Sequence, residues 1–544
     1  MPPACTRGVR ISFYRDKILM STLQKPSSAP DLKRSIAIAS VIMMTSVLLS
    51  RIMGLARETV LSGYCGTSTE MNAYVASFII PELLNHFLAG GYLSITFIPI
   101  FQKYLVSGER EKSWRVFSNL LTTGTIVLAV LVVLSIVFTR QIIGLMGHGV
   151  PLDLTVRLTR IIMPAQLLFY WGAFLLAVQY ANNRFFLPAL LPLCYNGGII
   201  LGGIILYPLI GVEGFAWGVL IGSLVGNVFV QLPGALRVGM RYRLILDLRD
   251  KDLYTYVMVT IPLIIGAGMT FSNEIFFRYF GSFLKGGALA SINYSLRTMM
   301  IFVGVFGQAA GVASYPFLAR LAVERKFGDM NNLLNGITRK IAALLIPCCG
   351  VMIPLSAQVI AVLFQHGRFD AASTAATAPV LAVYLAGAFP FAASTIVMRS
   401  FYAEQKMIFP MVTSTAIALA SIPCFLWLST LLGAMGIALA SSVAMTVQFF
   451  VLYWTWENRH SFRADFVATL MVFGKVLCIG AVAGALCLAL KTLLAPRIGA
   501  HSFVQNLLVA AGAGIPALAA AAVALHFGKV VDVRELALRF AKRV

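Results

Sequence analysis

From position 35 almost to its end the chain repeats one pattern: about 20 apolar residues, a short polar loop, and another apolar stretch. Each stretch, coiled as a helix, spans a hydrocarbon layer of about 30 Å. Inside lipid a backbone must satisfy its own N–H and C=O groups, so runs this long and continuous must be helices. With 59% hydrophobic and 12% charged residues and a mean hydropathy of +0.85, little of the chain is left to fold in water. Fourteen spans are expected, near 35–62, 71–101, 117–139, 154–181, 187–209, 214–236, 253–283, 287–318, 333–363, 371–402, 407–430, 433–455, 466–491 and 503–527. The fold class is an all-α polytopic membrane protein.

The formal charge of +22 would suit a nucleic-acid binder only if the cations formed one surface. They sit instead in short loops beside apolar spans. Assigning those loops alternately to two sides puts 31 Lys and Arg on the side of the N-terminus and five on the other, namely Arg140, Lys285, Arg368, Lys491 and Arg497. That asymmetry predicts an inner-membrane protein with an even number of spans and both termini in the cytoplasm. Residues 1–34 and 528–544 are then cytoplasmic tails. The first tail lacks an apolar core and cleavage pattern, so it is not expected to be a signal peptide, and Met20 is an alternative start. Eight Cys, mostly within apolar spans and without CxxC spacing, are expected to be small core hydrophobes rather than metal ligands.

Two segments repeat at long range. Ala181-Asn-Asn-Arg-Phe-Phe-Leu-Pro188, between spans 4 and 5, is echoed by Ala403-Glu-Gln-Lys-Met-Ile-Phe-Pro410, between spans 10 and 11. Upstream, Tyr170-Trp-Gly-Ala-Phe174 is matched by Tyr384-Leu-Ala-Gly-Ala-Phe389 with one residue more. An offset of about 220 residues, or six spans, gives both halves the same orientation in the membrane. Parallel halves imply a pseudo-twofold axis along the membrane normal, an architecture that supports alternating access to a central site. The expected division is an N-lobe at 35–236, a C-lobe at 253–456 and two extra helices at 466–527.

Seven cations fall within the spans: Arg51, Arg57, Arg157, Arg160, Arg278, Arg297 and Lys475, opposed by Glu58, Glu82 and Glu274. A charge at mid-membrane costs about 2.5–3.5 kcal/mol even on lenient scales, so a surplus of cations predicts an anionic cargo. Arg157, Arg160 and Lys475 lie near helix ends, from which they can snorkel to water. Arg51 and Arg57 lie deeper on helix 1, and Arg297 lies deep on helix 8 in the other lobe. Guanidinium forks from two lobes suit a diphosphate, which they grip bidentately. Helix 2 carries Asn72, Pro81, Glu82, Asn85, His86, Gly90, Gly91 and Pro99, a composition suited to a water-filled cavity rather than to lipid.

At these residues the chain resembles the MurJ (MviN) family, lipid II flippases of the multidrug/oligosaccharidyl-lipid/polysaccharide exporter superfamily. The likeness rests on Ser50-Arg-Ile-Met-Gly-Leu-Ala-Arg-Glu58 with Gly66, Asn72-Ala-Tyr74, Phe78, Pro81-Glu-Leu-Leu84 and Phe97-Ile-Pro99. It continues at Tyr294-Ser-Leu-Arg297 with Gly304 and Pro316, and at Val362–Asp370 leading to Phe401-Tyr402 and Pro410. The resemblance implies that Ser50, Arg51, Arg57 and Arg297 surround the substrate diphosphate and that helices 13 and 14 form a groove for its polyprenyl tail. With the polar residues of helix 2, the candidate substrate-binding set is Ser50, Arg51, Arg57, Asn72, Glu82, Asn85 and Arg297. The chain departs from the family pattern at Asn72, Gly90, Leu296 and Met300, where acidic residues are usual, and at Asn85, where arginine is usual.

The implied activity is flipping of a lipid-linked peptidoglycan precursor from the inner to the outer leaflet, for cell-wall synthesis. Implied partners are that precursor, membrane lipids and cell-wall synthesis or division proteins, with no nucleic acid. No cofactor or metal is expected, and the coupling, by membrane potential or a monovalent cation, is left open. The nearest alternative is an exporter of another polyprenyl-diphosphate-linked saccharide, such as an O-antigen unit. A membrane glycosyl- or phospho-transferase is disfavoured, because acidic clusters for Mg²⁺ and a sizeable catalytic loop are not evident. A non-transporting scaffold would leave the buried arginines without a purpose.

Overall fold

The computed structural model describes residues 29–88, 92–147, 149–268, 272–304, 309–460, 462–499 and 502–528. Most of both tails, together with Gly90 and Gly91, lies outside these residues, as does the side chain of His86.

Every regular element is a helix among the described residues. Span 1 is α1 (Ala29–Cys65). Span 2 comprises α2 (Thr69–Ala76), α3 (Ile79–Leu88) and α4 (Tyr92–Val106). Next come α5 (Arg110–Gly144), the pair α6 (Leu152–Ile162) and α7 (Ala165–Ala181), and α8 (Phe186–Ile210). Then α9 (Glu213–Leu224) runs through a π turn into α10 (Gln231–Arg237), which closes the N-lobe. The C-lobe holds α11 (Lys251–Gly268), α12 (Ser272–Gly281), α13 (Ala288–Val303), α14 (Ala309–Val323), α15 (Phe327–Met352), α16 (Ser356–Phe364), α17 (Ala371–Ala386), α18 (Ala388–Ala403), α19 (Ile408–Leu432) and α20 (Ala434–Arg459). Last are α21 (Arg463–Ile498) and α22 (Phe503–Phe527), which pack on α15 and α16 of the C-lobe.

Nine helices are long and apolar enough to cross a membrane among the described residues, or ten when the bent pair α17 and α18 is one span. The expected fourteen is compatible with this number, since expected spans 2, 7 and 8 each include residues outside the described set and span 1 is the single helix α1. Several boundaries are wider than the hydropathy implies. Much of the stretch from Lys103 to Arg115, taken as loop, is helical in α4 and α5, and α21 runs on to Ile498. Charged residues continue a helix past the apolar core because its ends stand among head groups and water.

The parallel repeat shows in the backbone. The helix before each echoed segment is broken midway, at Met163–Pro164 between α6 and α7 and at Gly387 between α17 and α18. Each then ends in the same turn. Asn183 and Gln405 take left-handed φ values of 57° and 60°. The next N–H donates back to Gln179 O and Phe401 O respectively, both at 2.9 Å. The following helices, α8 and α19, both have 25 residues and stop at glycines with positive φ, Gly211 and Gly433.

The lobes meet in a dense seam on the face opposite the tails. Arg368 N donates to Gly63 O at 2.8 Å, Gly149 N to Ser282 O at 2.9 Å, and Tyr294 OH to Gly66 O at 3.1 Å. Asn72 Oδ1 accepts from Ala290 N at 2.9 Å, so a side chain of one lobe caps the first turn of α13 in the other. This approach needs glycine. A Cβ on Gly149 would stand 1.8 Å from Leu284 O, and one on Gly287, where φ is +76°, would stand 1.8 Å from Thr67 O. Gly149→Val should therefore wedge the seam apart. The check is labelling of a cysteine placed at Tyr74, in a background free of other cysteines, by an impermeant thiol reagent applied from that face. Labelling should rise several-fold, and an unchanged rate would mean that the seam is not the seal.

Candidate functional site

Between the lobes lies a small cavity of about 70 Å³. Its walls come from α1 (Arg57, Glu58), α2 with its junction to α3 (Met71, Tyr74, Val75, Phe78), α3 (Glu82), α8 (Tyr195), α12 (Arg278) and α13 (Asn293, Arg297). All but Tyr195 belong to expected spans 1, 2, 7 and 8, the same spans that are hard to read as simple apolar rods.

Three arginines and three carboxylates interlock here. Arg57 donates to Glu58 Oε1 at 2.6 Å and to Asn196 Oδ1 at 3.1 Å. Glu58 Oε2 accepts from Asn293 Nδ2 of the other lobe at 3.3 Å. Arg278, only 2% exposed, grips Glu82 of the other lobe with both Nη atoms. Arg278 Nη2 also lies 3.7 Å from Glu274, four residues earlier on α12, and Arg297 Nη1 lies 3.6 Å from the same carboxylate. The Nε atoms of Arg278 and Arg297 are buried without a hydrogen-bond partner among the described residues. They are donors still to be used.

The candidate residues divide. Arg57, Glu82 and Arg297 share the cavity, so both lobes contribute guanidinium groups to one void. Ser50 and Arg51 lie outside it, in an open recess of about 440 Å³ between α1, α7 and α8. Arg51 still reaches the other lobe, since a Cβ on Gly304 at the end of α13 would stand 1.8 Å from its Nη1. Asn72 is fully buried in the seam, bonded to Gly149 O and Ala290 N. Asn85 is partly buried on α3, one turn from Glu82, and does not line this cavity. Leu296 is buried and Met300 partly so.

The charge surplus is distributed differently from the sequence expectation. Around the cavity three arginines face three carboxylates, so the lattice is formally neutral. The excess cations are elsewhere. Arg157 pairs with Glu213 at 3.1 Å with 65% of its side chain exposed, Arg160 bonds Ile136 O from an exposed position, and Lys475 is exposed. Arg399, grouped by sequence with the loop cations, lies on α18 with its guanidinium against Gly311 of α14. Sequence reasoning named Arg278 as a membrane cation but left it out of the site, and it missed Asn293, Asn196 and Tyr195. The available signal was spacing: Glu274 and Arg278, and likewise Asn293 and Arg297, are four residues apart and share helix faces.

A second feature lies between α21 and α22. It is an apolar recess of about 230 Å³ lined by Cys478, Ile479, Val482, Ala483, Leu486, Ala520, Ala521 and Ala524.

Two lobes related by a parallel repeat around a charged central cavity define a transporter of the multidrug and lipid-linked saccharide exporter class. A solved inward-facing transporter of the multidrug MATE family has the same fold, with a TM-score of 0.62 at 14% identity over 80% of this chain and 98% of that one. Within the class, the family model described as lipid II flippase MurJ matches residues 61–509, and the chain belongs to that family. A relative from Rhizobium tropici, described as a probable lipid II flippase MurJ, is 27% identical over 79% of this chain and 85% of its own. A structure of lipid II flippase MurJ in an inward closed conformation superposes with a TM-score of 0.74, at 22% identity over 89% of this chain and 99% of that one.

Removing one member of the lattice strands its partners. Arg278→Gln leaves the partly buried Glu82 and Glu274 against one fewer cation and should cost stability, with the about 3–5 kcal/mol of a fully buried pair as the upper bound. Thermal unfolding of the purified protein should show a clear fall in midpoint, with partial recovery in Arg278→Gln/Glu82→Gln. Equal midpoints for wild type and Arg278→Gln would mean that the pair contributes nothing to stability.

Proposed function

We propose that this chain carries a polyprenyl-diphosphate-linked peptidoglycan precursor, lipid II, from the inner to the outer leaflet by alternating access between an N-lobe at 35–236 and a C-lobe at 253–456. One observation carries the reading: guanidinium groups from both lobes, Arg57 on one side and Arg278 and Arg297 on the other, converge on a single buried void. Family membership supports the substrate.

At about 70 Å³ the cavity is far below the volumes that hold a drug-sized ligand. The head group therefore enters only after the lobes part. In the closed protein the carboxylates stand where phosphate oxygens would go. An arriving diphosphate exchanges with Glu82 for Arg278 and with Glu274 for Arg297, and offers oxygens to the two unused Nε donors. Parting of the lobes opens the Glu82 to Arg278 link, and the diphosphate takes the carboxylate's place, which couples loading to movement. The exchange also leaves two partly buried carboxylates without partners. A proton or monovalent cation that neutralises them would draw energy from the membrane, where one charge moved through 100 mV is worth about 2.3 kcal/mol. The polyprenyl tail stays in lipid along the recess between α21 and α22, and the tails face the cytoplasm as the cation asymmetry requires. Cell-wall synthesis or division proteins are the partners that would supply and consume the cargo.

In liposomes of defined composition holding the purified chain, Arg57→Ala and Arg297→Ala should each lower the rate of lipid II flipping at least tenfold while the protein stays inserted. Arg51→Ala, outside the cavity, should lower it less. A second cargo with the same diphosphate and an unrelated saccharide separates head-group from diphosphate recognition. Wild-type rates in Arg57→Ala and Arg297→Ala would refute the clamp.

A further inference from the structure

The same side of the N-lobe that carries most of the loop cations holds another cavity, of about 400 Å³, that shares no lining residue with the central one. One wall is the first turns of α5. That helix has 35 residues, about 52 Å of length, against about 30 Å of hydrocarbon. Its exposed large apolar side chains begin only at Ile126, so the turns bearing Lys112 and Arg115 stand at head-group level.

The other wall is the connection after α10. Residues 240–247 run alongside α5 without helical structure, held by α5 side chains. Ser118 Oγ accepts from Arg243 N at 3.1 Å. Asn119 holds both backbone polar atoms of Asp247, accepting from its N at 2.8 Å and donating to its O at 2.9 Å. The hydroxyls of Thr122 and Tyr242 are 3.0 Å apart.

An extended backbone sends successive side chains to opposite sides. Arg241, Arg243 and Ile245 line the cavity with Lys112, Arg115 and Trp114. Leu244, Leu246 and Leu248 turn outward, exposed by 83%, 56% and 70%. At this depth such a row enters the acyl boundary, as the apolar face of an interfacial helix does. The polar edge keeps an excess of positive charge: residues 103–115 and 237–252 together hold nine Lys or Arg against five Asp or Glu. The ion pairs there are exposed: Arg241 to Glu111 at 3.9 Å and Arg115 to Asp247 at 3.3 Å are loose, and Lys112 contacts Glu109 closely; exposed pairs of this kind are weak enough to be displaced by phosphate.

A cationic hollow beside a row of outward leucines matches the two halves of one kind of molecule. We propose that this cavity binds an anionic glycerophospholipid of the adjoining leaflet, with its phosphate held by Arg241, Arg243 and Lys112 and its acyl chains lying along Leu244, Leu246 and Leu248. The site is independent of the central cavity and of the cargo.

The test titrates the full-length purified protein in detergent with phosphatidylglycerol, with phosphatidylcholine and with inorganic phosphate, and reads lipid retention by native mass spectrometry. Wild type should retain phosphatidylglycerol well beyond phosphatidylcholine. Arg241→Gln/Arg243→Gln should weaken that retention about 30-fold, at about 1 kcal/mol per cation, while Arg140→Gln on the opposite face should leave it unchanged. Because all three positions are exposed, folding should survive, as an unchanged unfolding midpoint would verify. A photo-crosslinker at Leu246, with no change to the cations, should label lipid in native membranes. Equal retention of the two lipids, wild-type retention in Arg241→Gln/Arg243→Gln, full competition by inorganic phosphate, or crosslinking to a protein instead of lipid would each overturn the assignment.

Discussion

The bidentate grip of Arg278 on Glu82 joins the two lobes at their centre, and much of the surrounding structure follows from having to house it. A guanidinium that is 2% exposed in a membrane protein has neither bulk water nor head groups to solvate it. Its partners must be brought to it. That requires a carboxylate from α3 in the other lobe, a second from its own helix, and the face of Phe277 at 5.3 Å. Helices that present so many polar groups at mid-depth cannot face lipid, so they form the inner wall and leave the outer wall to α5, α8, α19, α21 and α22, whose apolar faces are broadly exposed.

Such a lattice is a poor way to hold two lobes together for its own sake. Taking the ions out of water costs nearly as much as their attraction returns, and well-packed apolar residues of the same volume are often as stable or more so. Charged groups do offer exchangeability: a carboxylate can be replaced by another oxyanion with the same geometry, whereas packed leucines cannot be replaced by anything a cell transports. The seam on the opposite face works by the other principle. There most contacts run through backbone groups at glycines, and the one cross-lobe ion pair found there among the described residues, Arg368 with Glu70 at 3.7 Å, is exposed, so that face can be sealed by close packing while the centre stays responsive to cargo.

The outline of this molecule was legible in the sequence because membrane insertion imposes local rules. Apolar length reports the spans, and the Asn182-Asn183-Arg184 and Glu404-Gln405-Lys406 turns betray the repeat because an amide-bearing residue sits at the left-handed position of each. Arg57, Glu82 and Arg297 were identifiable for a related reason: a charge within an apolar run is conspicuous. Hydropathy does not say which charges meet. Arg51 looks equivalent to Arg57 in sequence, yet six residues on one helix carry it out of the cavity toward Gly304. Asn72 reads in sequence as part of a polar cavity wall but serves as a helix cap across the seam, and that role depends on α13 starting where it does. Tyr195 and Asn196 were invisible because a single amide or phenol in an apolar helix carries no pattern.

Neutrality of the central lattice changes what the arginines imply. Had the cavity held an uncompensated positive charge, it would attract small anions at all times, and closing the lobes without cargo would bury that charge at great cost. With each guanidinium matched by a carboxylate, the empty transporter can close and return cheaply. The loaded one carries the added negative charge of the diphosphate, and it too becomes neutral only when the displaced carboxylates are discharged. In the proposed mechanism both the empty and the fully loaded protein would cross the closed state, and a partly loaded one would not. Coupling between cargo and counter-charge would then follow from placing equal numbers of opposite charges where the lobes meet.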